Sequence, residues 1–332
     1  MTTVQSGSGA PRTEQMKAKF SEVISQLAAA GALIVLFIYL TFSSDNFLTS
    51  HNLLNVGTQT AVTAIVAMGM TMVIITAGID LSVGAVAALA GVVATLLMVD
   101  SHVAIPIAIV AGMAVGAVCG LISGFMITVA LITPFIATLG TMSVARGMAN
   151  ITTDAVAVSG VPPEFRWLGQ GELLTIPVPI LITVAVAIVI HLTLTRTRFG
   201  RHAYAIGSNE EAAKLSGVPV RAVLIGVYVV CGALAGLGGL IAASRVNSGQ
   251  PSYGVGLELD VIAAAVIGGA SLFGGRGTVV GTLIGAFLIA LIRNGSVLLD
   301  INVFYQTIII GAVIWAAVAW DGLRRRRLSG EV

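Results

Sequence analysis

The chain has 332 residues, 57% of them hydrophobic and only 10% charged, with a formal net charge of +2 and a mean hydropathy of +1.00. A soluble domain carries roughly 25% charged residues, so this composition excludes one. Aromatic residues, at 6%, are too sparse for the girdles of an outer-membrane barrel. What remains is an all-α polytopic membrane protein, with apolar runs of helix-spanning length and 39 glycines to let helices approach closely.

In chain order, residues 1–26 read as a polar cytoplasmic tail carrying Arg12, Lys17 and Lys19. The next run, Leu27 to Phe42, could pass for a signal core, but Phe42-Ser-Ser-Asp-Asn46 offers no small-x-small cleavage site. It reads as an uncleaved first span. About ten spans are expected, at 27–43, 59–77, 83–99, 103–126, 131–149, 176–195, 222–243, 257–272, 278–298 and 303–320. They make up a transmembrane domain over 27–320 with a cytoplasmic loop at 196–221, followed by a cytoplasmic tail at 321–332. The basic residues fix the expected orientation. Arg12, Lys17, Lys19, Arg196, Arg198, Arg201, Lys214, Arg221, Arg276 and Arg324 to Arg327, 13 of the 17, fall on one side. Positive-inside makes that side the cytoplasm and places both termini there.

Two spans look unlike simple crossings. Thr76-Ala-Gly-Ile-Asp-Leu-Ser-Val-Gly84 joins spans 2 and 3 with almost no loop, and span 8 is cleanly apolar only over Val261–Ala270, behind Glu258 and Asp260. Ten helical residues reach about 15 Å, half a hydrocarbon core, so broken or re-entrant helices are expected here. Each segment sets an Asp at the head of a small, apolar helix. Gly116-x-x-x-Gly120 in span 4 echoes Gly281-x-x-x-Gly285 in span 9. An offset of five spans predicts an inverted repeat, spans 2–5 against 7–10.

The loop before span 7 carries a helix of its own. Ser208-Asn-Glu-Glu211 has the form of a capping box, Glu210 and Lys214 stand one turn apart, and Gly217 and Pro219 end the helix. A helix so short is marginal in water and must dock on its own chain or on a partner. Among charges near the spans, Arg146 and Arg293 read as snorkelling or paired. Asp80 and Ser82 have two open readings, a lining for a solute path or a cap on helix 3. Cys119 and Cys231 read as small apolar packers. The glycine-rich run at 268–277 lacks a Gly-x-x-x-x-Gly-Lys-[Ser/Thr] pattern, and His51, His102, His191 and His202 have no metal-ligand spacing. No constellation supports catalysis, so a transport subunit rather than an enzyme is expected, without metal or cofactor of its own.

Five stretches together resemble the ribose-type permeases of bacterial ABC sugar importers. They are Gly69-Met-Thr-Met-Val-Ile-Ile-Thr-Ala-Gly-Ile-Asp-Leu-Ser-Val-Gly84, Thr133-Pro-Phe-Ile-Ala-Thr-Leu139, Ala205-Ile-Gly-Ser-Asn-Glu-Glu-Ala-Ala-Lys-Leu-Ser-Gly-Val218, Glu258 to Leu272, and Gly281-Thr-Leu-Ile-Gly-Ala286. The resemblance implies a permease dimer, a cytoplasmic ATPase subunit holding ATP and Mg, and an extracytoplasmic sugar-binding protein. It makes Ser208, Asn209, Glu210, Glu211, Ala212, Ala213, Lys214, Gly217 and Val218 the coupling helix to the ATPase. Candidate path residues are Gly78, Asp80, Ser82, Gly84, Asp260, Gly268, Gly269 and Ser271. The implied function is import of ribose or a similar pentose or hexose across the inner membrane. One alternative is an ion-coupled secondary transporter using Asp80 and Asp260; another is a membrane receptor or scaffold.

Overall fold

The computed structural model describes residues 12–329; the outermost parts of both expected tails, 1–11 and 330–332, lie outside the described residues. The elements in order are α1 (Arg12–Ser43), α2 (Ser50–Ile75), α3 (Val83–Val99), α4 (Ile105–Thr128), α5 (Pro134–Ile151), β1 (Val158–Ser159), a 3-10 turn (Pro163–Arg166), α6 (Trp167–Gln170), β2 (Glu172–Leu173) and β3 (Ile176–Pro177). There follow α7 (Val178–Arg196), α8 (Arg198–Ser208), α9 (Glu210–Leu215), α10 (Val220–Val246), β4 (Ser248–Gly249), α11 (Leu257–Ile267), α12 (Val279–Leu298) and α13 (Val303–Ser329). Two-residue ladders, β1 with β4 and β2 with β3, are the strands among the described residues.

Among these, α2, α4, α7, α10 and α12 are long and apolar enough to cross a membrane; Leu27–Ser43, Val83–Val99 and Phe304–Ala316 are shorter apolar stretches. The other two expected spans are α5, whose apolar run is interrupted by Arg146 and Asn150, and α11, only 11 residues long. Length and composition alone therefore mark half of the ten expected crossings.

The core is built around α10, whose residues Cys231 to Ser244 are nearly all buried, and α2, whose last turns are wholly buried. On α4, Gly112, Gly116, Gly120 and Gly124 recur every fourth residue and so share one face. A methyl on Gly116 would strike the Gly232 carbonyl, and one on Gly120 the Tyr228 carbonyl; Gly112 faces Leu240 and Gly124 faces Ile225. As numbers rise on α4 they fall on α10, so the helices are antiparallel and their backbones touch. On α12, Gly281 meets Gly268 and Gly285 meets Ala264 in the same manner, seating α12 on α11. Both helix pairs use small residues for close van der Waals contact, the main attraction available inside lipid.

Gly116→Val and Gly120→Val are therefore expected to abolish recovery of monodisperse protein on size exclusion in detergent, because rigid backbone oxygens block the new side chains. Gly140→Ala, at a site with nothing within 4 Å, should elute like the wild type.

Candidate functional site

Two interrupted helices meet inside this bundle. At the end of α2 the chain turns through Thr76, Ala77 and Gly78, with the Ala77 and Gly78 amides returning to the Ile74 and Val73 carbonyls. Ala77 takes a left-handed φ of 59°. Asp80 follows, 1% exposed, and its Oδ1 accepts from the Ser82 amide at 2.9 Å and the Ser82 hydroxyl at 2.6 Å. This short loop, rather than a side-chain bond from the N-cap residue Ser82, sets the start of α3. The Ile79 carbonyl faces the Thr138 and Tyr228 hydroxyls.

The second interruption lies between α10 and α11. Asn247, at φ 54°, ends α10, and the chain then runs back along α3, with Gly249 against Val92 and Thr95 and Gly254 against Gly84. A methyl on Gly84 would collide with the Gly254 carbonyl and approach Glu258 Oε2 at 2.7 Å. Arg146 of α5 pins the returning segment by donating from Nη1 to the carbonyls of Pro251 at 2.6 Å and Tyr253 at 2.7 Å. α11 thus begins beside the start of α3, while Ala270, beyond its far end, lies with Gly277 near Ile75. The two helices leave their shared starting level in opposite directions. The eleven residues of α11 span about 16 Å.

Gly78, Asp80, Ser82 and Gly84 are all buried; Gly78 lies against Val73 and the Tyr228 hydroxyl, and Gly84 against the start of α11. Asp260 lies in the first turn of α11 but points to α12, where Arg293 Nη2 donates to its Oδ2 at 2.6 Å. Gly268, Gly269 and Ser271 fall at the opposite end of α11, in a turn whose Gly274 and Gly277 approach Ala77 and Ile75, at the end of α2. There the glycines serve a tight turn: Gly269, Gly274, Gly275 and Gly277 have φ values of 96°, 85°, 73° and 155°.

The loop helix is present, with its start displaced. Asn209, not Ser208, is the N-cap, its Oδ1 accepting from the Ala212 amide at 2.9 Å. Ser208 instead ends α8, a helix over a stretch expected to be loop. Thr197 caps α8 through the Gly200 amide at 3.2 Å. The expected capping box thus gives way to a single Asn cap, because α8 has taken the serine. At the other end of α9, Gly217 at φ 79° and Val218 return their amides to the Lys214 and Ala213 carbonyls. Ala213 is buried, while Ser208, Asn209, Glu210, Glu211, Ala212, Lys214 and Gly217 are exposed and Val218 half-buried. Leu215 is 89% exposed. Between α9 and the Gly78 turn lies a cavity of about 820 Å³, bordered by Thr128, Glu210, Lys214, Arg221 and the Tyr228 side chain. Two other cavities, of about 380 and 750 Å³, have mainly aliphatic walls. Tyr228 and Glu258 join the Asp80 neighbourhood only through tertiary packing; no local spacing announces either.

A bundle with interrupted helices at its centre and an exposed capped helix at one end is the architecture of a membrane transport subunit, and the comparisons with known proteins agree. Residues 52–318 match the family described as branched-chain amino acid transport system / permease component, and the chain belongs to that family. It is 43% identical to the ribose import permease protein RbsC of Escherichia coli (strain K12), covering 89% of this chain and 92% of that protein. The protein of the same name from Bacillus subtilis (strain 168) is 43% identical over 93% of this chain and 97% of its own length. The D-allose transport system permease protein AlsC of Escherichia coli (strain K12) is 37% identical over 87% and 89%. No solved structure matches.

Proposed function

We propose that this chain is the permease subunit of an ATP-driven importer carrying ribose, or a close pentose or hexose, across a bacterial inner membrane. The observation that carries this reading is near full-length similarity to sugar import permeases, at 43% identity to two ribose import permeases. A sugar solute also suits the Gly78–Gly84 region, where hydroxyls of Ser82, Thr138 and Tyr228 gather and the Asp80 carboxylate is occupied by Ser82. Asp260 is paired with Arg293, so one of the two acids of the ion-coupled alternative already has a counter-charge.

The packing supports the inverted repeat. Matching α2 with α10, α3 with α11 and α4 with α12 turns each observed contact into another observed contact. Thus α10 on α4 becomes α2 on α12, α10 on α3 becomes α2 on α11, and α3 on α4 becomes α11 on α12. Ten crossings with α9 and both termini in the cytoplasm follow from this matching and from the basic loops. The exposed face of α9 is the coupling surface for an ATPase subunit that carries ATP and Mg. A sugar-binding protein docks outside, around the Asp154–Glu172 loop. That loop is held as a platform by the β1–β4 ladder and by Ser244, whose hydroxyl donates to the Phe165 carbonyl at 2.6 Å and accepts the Gly169 amide at 2.8 Å. Two permease subunits then work by alternating access.

The test is uptake of labelled ribose, allose, galactose and leucine by cells with and without the gene. Loss of sugar uptake, ribose most, with leucine unchanged is expected. Loss of leucine uptake with the sugars unchanged overturns the sugar assignment.

A further inference from the structure

One contact cluster lies between the loop helix and both interrupted helices, and it is made almost wholly of backbone. The Gly275 amide, in the turn after α11, donates to the Ile75 carbonyl at the end of α2, 2.8 Å away. Gly207 of α8 sits against the same two groups. A methyl there would strike the Ile75 carbonyl and come within 2.6 Å of the Gly275 nitrogen. A methyl on Gly274 would lie 2.5 Å from the Gly207 carbonyl and 2.9 Å from Ala77 Cβ, and one on Gly275 would lie 3.2 Å from Ser208 Cα. Beside this point the Tyr204 hydroxyl donates to the Gly277 carbonyl at 2.7 Å. Three chain segments therefore meet: the end of α2 leading to Asp80, the turn that ends α11, and α8.

α8 is joined to α9 by a single residue, Asn209, whose amide still bonds the Ala205 carbonyl at 3.0 Å. The one-residue link and this bond leave little slack between the two helices. Side chains can absorb a small displacement by changing rotamer, whereas packed backbone cannot. We infer that Gly207 and Tyr204 are positioning residues that carry movement of the loop helix to both interrupted helices at once. This rests on the coupling role proposed above and adds its route: α9 to α8, α8 through Gly207 to Ile75 and the Asp80 turn, and through Tyr204 and Gly275 to α11.

The test uses the complex of this chain with its ATPase and binding protein in proteoliposomes, comparing ribose uptake with ATP hydrolysed. Gly207→Ala should lower uptake about tenfold while hydrolysis stays within about twofold, the separation expected when about 1.4 kcal/mol of coupling is lost. Tyr204→Phe keeps the ring and removes the hydroxyl bond, worth about 1 kcal/mol, so uptake per ATP should fall about fivefold. If Gly207→Ala fails to assemble, Tyr204→Phe decides alone. Unchanged uptake per ATP in an assembled variant, or uptake and hydrolysis falling together, overturns the inference. A wild-type complex that hydrolyses ATP and imports no sugar defeats the functional reading itself, and this inference with it.

Discussion

Asn209→Ala combined with Gly217→Val is expected to strip the chain of its ATPase while leaving the bundle folded. Asn209 supplies the N-cap of a six-residue helix, and loss of such a cap costs about 1 kcal/mol. Gly217 stands at φ 79°, where a β-branched side chain costs a further 1–2 kcal/mol or so. A helix of this length has no stability of its own to absorb either loss. Ala213 is the buried residue within α9, so the cost falls on the shape of the exposed surface and not on the core. Loss of about 2 kcal/mol at a docking surface weakens association roughly thirtyfold. Pull-down of the tagged chain followed by mass spectrometry should show the ATPase with the wild type and little with the double variant. The two should elute alike on size exclusion. An ATPase retained by the double variant at wild-type yield contradicts the docking role of α9.

Arg293→Leu is expected to be the most destabilising single change at the interrupted helices, and more damaging than Asp260→Asn. Asp260 is 7% exposed, and Arg293 provides its ion-pair partner at 2.6 Å. Removing the arginine leaves a carboxylate buried without its counter-charge, which costs about 3–5 kcal/mol in comparable sites. The Arg293 side chain is 47% exposed, which places the effect toward the lower end, about 3 kcal/mol. The reverse change leaves an arginine able to swing toward an interface, at smaller cost. Replacing both by leucine should recover part of the loss, because no unpaired charge remains. Thermal unfolding of the four proteins in detergent orders them. The wild type and double variant above Arg293→Leu supports the pair, and Arg293→Leu melting with the wild type contradicts it.

Much of the fold was legible because lipid imposes one rule on every span. The expected 83–99 coincides with α3, and the expected short apolar run of span 8 is α11, with Glu258 and Asp260 in its first turn as anticipated. The loop helix was legible in existence and misplaced in detail. Ser208 and Asn209 are adjacent and both cap well, and local chemistry does not choose between them. The choice is made by α8, whose polar residues Arg198, Arg201 and His202 read as loop, although Ala203 and Ile206 give it a buried face. Tertiary pairings were less visible. Arg293 was expected to snorkel or pair, but its partner lies 33 residues away and emerges only when α12 packs on α11. The contact of the turn after Gly268, Gly269 and Ser271 with Ile75 and Ala77, on the way to Asp80, has no local signature either, because it joins residues about 200 positions apart. The contact of Gly207 has no sequence signature of its own, because packed backbones leave no mark in side-chain patterns beyond one glycine among many.

The most direct test of the whole account is labelled ribose uptake into proteoliposomes holding this chain, its co-purified ATPase and the binding protein. The account predicts accumulation that requires both ATP and the binding protein and persists when ion gradients are collapsed. Uptake by the chain alone, driven by a proton or sodium gradient and indifferent to ATP, would contradict it and return Asp80 and Asp260 to the centre of the mechanism.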